Sequence, residues 1–164
     1  MVFRIKRDAK KWFKDVTGTG PLSLDFDIWY LCLMAGLASG RKVDVPVAET
    51  SELVDYFPGK FESRGRVIVA AFIGRELAQR GIKMTERKAL HTAIAGLVSP
   101  RSPSHLSDDG MHEINKYAHG GFDYLVEKFD DRPRTLDTFL PIYKQLIDGA
   151  VATMPAPATD PGIT

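Results

Sequence analysis

The sequence predicts an all-α fold: one bundle of about five to seven helices forming a single domain. Three observations point there. Apolar residues recur at spacings of three and four along most of the chain. Alternating apolar and polar positions of the kind that build sheets are short and few, the clearest being Val43, Val45 and Val47. At 164 residues, with 44% hydrophobic and 26% charged, the chain is long enough for one ordinary core and too short for a second catalytic domain.

After an extended stretch at Val2–Ile5, Ala9, Trp12, Phe13 and Val16 line one side of a helix over Lys6–Val16, with Lys10, Lys11 and Lys14 between them and Gly18 and Gly20 closing it. Residues 23–38 are apolar on nearly every face, through Phe26, Ile28, Trp29, Leu31, Leu33, Met34 and Leu37, so this helix belongs at the centre. Asp25 and Asp27 fall in its first turn, where the helix dipole favours carboxylates. Residues 41–58, with Pro46 and Pro58, read as a connector holding one short helix at Thr50–Tyr56. Val67, Ile68, Ala70, Ala71, Phe72, Leu77 and Ala78 mark a mostly buried helix over 62–80, ended by Gly81.

Thr85 caps a further helix carrying Ala89, Leu90, Ala93, Ile94, Leu97 and Val98. The two prolines of Ser99–Ser104 make a loop. Helical pattern resumes near Ser107, breaks at Gly120-Gly121 and continues through Phe129. The last helix carries Leu136, Phe139, Leu140, Tyr143, Leu146 and Ile147, and Pro141 kinks it or marks its start. Residues 23–38, 64–80 and 135–150 are expected to supply most of the core. Residues 1–150 form the domain, and 151–164, rich in Ala, Pro, Thr and Gly, form a flexible tail.

With 22 Lys+Arg against 21 Asp+Glu the net charge is +1, so the total selects no partner. The distribution is more informative: residues 1–15 and 60–103 are basic, and 16–59 and 104–164 are acidic. Clustered cations suit a phosphate backbone, because each neutralised phosphate releases counterions. The candidate nucleic-acid contacts are Arg4, Lys6, Arg7, Lys10, Lys11 and Lys14, extended into one patch by Arg64, Arg66, Lys83, Arg87 and Lys88. The competing reading is a solvated helix face. Trp12 and Phe13 sit on the apolar side, as core anchors rather than base-stacking platforms.

Other chemistries find less support. The single cysteine, Cys32, excludes a disulfide framework and lies in the most apolar segment, where a thiol is inert. His105, His112 and His119 are seven apart, with Asp108 and Asp109 nearby, but the intervening glycines weaken a shared helix and no metal-binding motif is completed. Asn115, Tyr117, Ala118, Gly120, Gly121 and Phe122 read as tight packing at a helix crossing. No nucleotide-binding loop or nucleophile elbow is present, so no cofactor, metal or catalytic residue is expected. The longest apolar run, Ile28–Leu37, is too short to span a bilayer, and the expectation is a cytoplasmic protein without membrane contact.

The pattern Phe3-Arg4-Ile5-Lys6-Arg7, Ala9, Phe13, Thr17-Gly18, Trp29-Tyr30-Leu31-Cys32-Leu33 and Gly36-Leu37 resembles the small helical DndE proteins of bacterial DNA sulfur-modification systems, over residues 3–40. The resemblance implies DNA binding through lysine-rich surfaces of an oligomer, without bond-making chemistry. Lys6, Arg7, Lys10 and Lys11 would then be phosphate contacts. The first functional expectation is accordingly a non-catalytic DNA-associated accessory protein of a defence or DNA-modification system. The alternatives are a protein-interaction or scaffold subunit, docking partner subunits or its own copies, and a small metal-dependent hydrolase using His105, His112 and Asp109.

Overall fold

The first residues form a strand before they form a helix. In the computed structural model, which describes residues 1–18 and 20–155, β1 (Arg4–Lys6) pairs antiparallel with β2 (Thr50–Glu52), Arg4 opposite Glu52 and Lys6 opposite Thr50. Bonds from Phe3 N to Val54 O (3.0 Å) and from Leu53 N to Phe3 O (2.9 Å) extend the ladder. The short helix expected at Thr50–Tyr56 is therefore absent, because those backbone groups are taken by the N-terminal segment. The first helix is correspondingly shorter than the apolar spacing suggests. Here α1 is Arg7–Trp12, and turns carry the chain on to Val16, keeping Phe13 and Val16 buried.

Five longer helices follow among the described residues: α2 (Asp25–Ser39), α3 (Gly65–Gln79), α4 (Arg87–Leu97), α5 (Asp108–Lys128) and α6 (Leu136–Ala152). With one two-stranded sheet beside them, the fold is a mostly α bundle, and among the described residues no helix is long and apolar enough to cross a membrane. The centre is the crossing of α2 and α5, and the expected break at Gly120-Gly121 falls on it. These glycines do not interrupt α5; they are where α2 and the chain after it lie against it. A Cβ at Gly121 would overlap the Cys32 carbonyl, one at Gly120 the Arg41 carbonyl, and one at Gly36 the Tyr117 carbonyl. Close approach there outweighs the low helix propensity of two glycines.

Around this crossing, Phe3, Phe26 and Phe57 gather about Trp29, with Phe3 and Phe26 centroids 4.6 and 4.7 Å from its ring. Asn115 ties the sheet to α5: its Oδ1 accepts from Arg4 N (3.0 Å) and its Nδ2 donates to Val2 O (3.1 Å).

Two expectations about the core need correction. α6 lies on the outside, with only Phe139 fully buried and Leu140 and Ile142 largely exposed, so α5 takes the central share expected of 135–150. α3 turns Ile68, Val69, Phe72, Glu76 and Leu77 inward and leaves Val67, Ala70, Ala71 and Ala78 outside the fully buried core. Pro141 neither starts nor ends α6. Thr135 caps it, accepting from Thr138 N (3.3 Å), and the proline removes only the bond to the carbonyl of Asp137 in the first turn. The helix runs to Ala152, past the expected start of the tail at 151, and 156–164 lie outside the described residues.

Candidate polyanion-binding surface

Strand β1 and helix α1 divide the N-terminal cations into two groups. Arg4 is spent inside the sheet, its Nε donating to Thr50 Oγ1 (2.8 Å) and its guanidinium pairing with Glu52 (2.9 Å). Lys6 reaches Asp123 (2.7 Å) beside the Phe122 ring, and Lys10 reaches Asp25 (2.9 Å). Arg7, Lys11 and Lys14 are exposed, and no described carboxylate lies within ion-pair distance of any of them.

Lys11 and Lys14 flank a groove of about 750 Å³ between α1 and the second half of α5, with Arg132 on its edge and Trp12, Phe122 and Val126 in its floor. Asp8, Asp123 and Glu127 also line it; Asp123 is held by Lys6, Glu127 by Arg41 and Arg132 by Asp15 (3.3 Å), so among the described residues its unpaired charges are Lys11, Lys14 and Asp8. Trp12 is not free to stack on a base: Phe13, Phe122 and Phe129 meet it edge-on at 4.8, 6.0 and 5.5 Å.

The second basic block stands elsewhere. Arg64 and Arg66 lie at the start of α3, and Lys83, Arg87 and Lys88 around the start of α4; all five are exposed. α4 meets the N-terminal end of α5, where Gly110 abuts Leu97, whereas α1 meets Phe122 and Val126. At ~1.5 Å per residue, Asp109 and Val126 are about 25 Å apart along α5. α3, about 22 Å long, in turn parts Arg64 and Arg66 from Lys83, Arg87 and Lys88, so the expected single patch is three separate groups, at α1, at the start of α3 and at the start of α4.

One cluster lies outside every sequence expectation. Glu76, 2% exposed, accepts from Lys42 Nζ (3.0 and 3.2 Å), Tyr117 Oη (2.8 Å) and Arg80 Nε (3.0 Å), while Lys42 also pairs with Glu113, which Lys116 holds from the other side (2.8 Å). Burial pushes Glu76 and Glu113 toward the neutral form, but the donors on each outweigh it and hold both below the usual carboxylate range. Lys42 is raised although burial opposes it, because Glu113 and Glu76 accept from it. Carboxylates so saturated with donors brace the fold and have no proton to give. The one signal of this cluster in the sequence is an acidic residue on the inward side of α3.

The histidines do not converge. His105 sits in a turn at φ +63°, His112 is exposed, and His119 is buried with neither ring nitrogen bonded to protein. Among the described residues no three of His, Cys, Asp and Glu are arranged to hold a metal ion, so the hydrolase alternative has no assembled donor set. Cys32 is buried, and that burial pushes its thiol far above the usual range. The chain matches no protein-family model, no curated protein and no solved structure.

Proposed function

We propose that this protein is a non-catalytic accessory protein that contacts the phosphates of duplex DNA through the exposed cations of the α1 groove. The observation that carries the reading is the division among the N-terminal cations: three have carboxylate partners, and Arg7, Lys11 and Lys14 beside them have none among the described residues. Arg7 and Lys11 stand four residues apart on α1, a spacing at which like charges cost ~0.2–0.5 kcal/mol. A bound polyanion relieves that cost. The resemblance of residues 3–40 to DndE proteins supports DNA as the polyanion and a DNA-modification or defence system as the setting.

The test is retention of labelled duplex DNA. Binding should be indifferent to sequence and fall steeply between about 50 and about 200 mM salt. Changing Lys11→Glu and Lys14→Glu together should weaken all duplexes alike and flatten the salt slope by roughly one unit for each phosphate no longer neutralised. Melting should barely move, since exposed lysines contribute little to folding. Absence of retention by the wild-type chain at low salt would overturn the reading.

A further inference from the structure

Away from the α1 groove, α2, α3 and α6 converge on a cleft of about 350 Å³, at the small end of the range for ligand pockets. Its walls are hydrocarbon and thioether: Met34 and Leu37 from α2, the outward side of α3, Ile147 and Val151 from α6, and Met154 just after it. Among the described residues one charged side chain lines the cleft, Arg75, and no carboxylate does.

Arg75 is half-buried and unspent. Its Nε is shut off from solvent without a hydrogen-bond partner, and no described carboxylate lies within ion-pair distance of its guanidinium. Glu76, next to it in sequence, is turned to the core, where Lys42, Arg80 and Tyr117 hold it. Nor does Arg75 cap the end of α2. The guanidinium packs on Gly40 so closely that a Cβ there would strike Nη2, yet the donor to the Gly40 carbonyl is Gln79 Nε2 (2.6 Å). A guanidinium offers five donors in a planar fork that matches a carboxylate, and donors taken out of water without a partner are costly.

We propose that this cleft binds an aliphatic carboxylate, its chain lying between α2, α3 and α6 and its carboxylate paired with Arg75. Each part of the ligand follows from a lining group. The walls carry no other polar side chain, so polar groups along the length of a ligand would lose water and gain nothing, which disfavours a sugar or an extended peptide. A lone cation takes one anionic group, whereas a nucleic acid needs a row of them. Met34 and Met154 give the walls thioethers that adapt to an alkyl chain. The fork of Arg75 donates to both carboxylate oxygens. The proposal is independent of DNA contact at α1, none of whose cations lines the cleft.

The experiment titrates the full chain calorimetrically with decanoate, decanol and decyltrimethylammonium, each below the concentration at which it self-associates. Decanoate should bind once per chain and at least tenfold more tightly than the other two. Arg75→Gln should abolish that preference, and Arg75→Lys should keep part of it. Ala71→Trp fills the cleft from an exposed position on α3 and should weaken decanoate tenfold or more. Lys11→Glu with Lys14→Glu should leave the titration unchanged. Melting temperature checks that each variant folds. The proposal is overturned if decanoate does not bind, if the three amphiphiles bind alike, or if folded Arg75→Gln or Ala71→Trp leaves the affinity unmoved. A tenfold gain on Asp160→Asn would give Arg75 to the chain's own carboxylate and overturn it equally. So would a dimer that Ala71→Trp dissociates and decanoate does not, which would put a second copy in the cleft.

Discussion

A neutral imidazole offers one donor and one acceptor, and His119 finds a protein partner for neither while Asn115, one turn earlier on α5, has both ends of its amide bonded. Burial, and then the nearby Lys6 ammonium, lower its pKa to about 4. The unfolded chain therefore takes up this proton first, near pH ~6.5, and the native state does so only near pH 4. The stability this provides is complete above the unfolded pKa and is lost as pH falls toward 4, at ~1.4 kcal/mol per pH unit. Urea denaturation should show a loss of about 2 kcal/mol between pH ~6.5 and ~5, and His119→Gln should remove most of that slope. An unchanged slope in the variant would assign the effect to other groups. Glu76 and Glu113 act in the same direction at lower pH, since their depressed values make stability fall below the ordinary carboxylate range. Lys42 is their shared partner. Lys42→Met leaves buried Glu76 with two donors and should cost about 2–4 kcal/mol in the same melts; a loss under about 1 kcal/mol would separate the network from stability.

At the level of elements, the α2–α5 crossing holds the centre, and its glycines set how close the two helices come. Gly121→Ala places a methyl group on the Cys32 backbone, which must move, so the loss should reach about 3 kcal/mol or more by thermal melting. Gly149→Ala, with nothing within 4 Å, should be neutral or stabilising by up to about 1 kcal/mol and serves as the control. Equal effects at the two glycines would show that close approach is not what Gly121 provides. The same crossing shows which parts of the fold are legible in the sequence. α2 declares itself because it is apolar on every side, and Trp29 is indeed wholly buried; Trp29→Ala should cost about 3–5 kcal/mol. Gly120-Gly121 read as a break because propensity is local, whereas the reason for them is a helix about 90 residues earlier. α3 reads as buried because apolar residues cover most of its surface, but Val67, Ala70, Ala71 and Ala78 on its outward side stay exposed. For the candidate surface, the basic character of α1 is plain in the sequence. Which cations remain free is not, since the partners of Arg4 and Lys6 lie 48 and 117 residues away.

Those long separations describe the molecule as a whole. Arg4 N to Asn115 Oδ1 spans 111 residues, Asn115 Nδ2 to Val2 O spans 113, and Tyr143 Oη to Leu31 O spans 112. The fold closes by laying its first strand across α5, and Phe3, wholly buried against Phe26, Trp29 and Phe57, fastens that closure. α1 follows β1 without a break, so the free cations are held in place only while the strand is docked. On the proposed function, stability and polyanion binding are thereby coupled at one end of the chain and separable at the next few residues. Phe3→Ala should lower stability by about 3–5 kcal/mol, a large part of what a domain of this size has. Its DNA retention should decline across a temperature series in step with the folded fraction read by circular dichroism. Lys11→Glu with Lys14→Glu should lose retention at every temperature while melting like the wild type. If Phe3→Ala keeps full DNA retention after its helical signal has melted, the N-terminal segment binds as an unfolded basic peptide, and the groove formed with α5 plays no part in holding the polyanion.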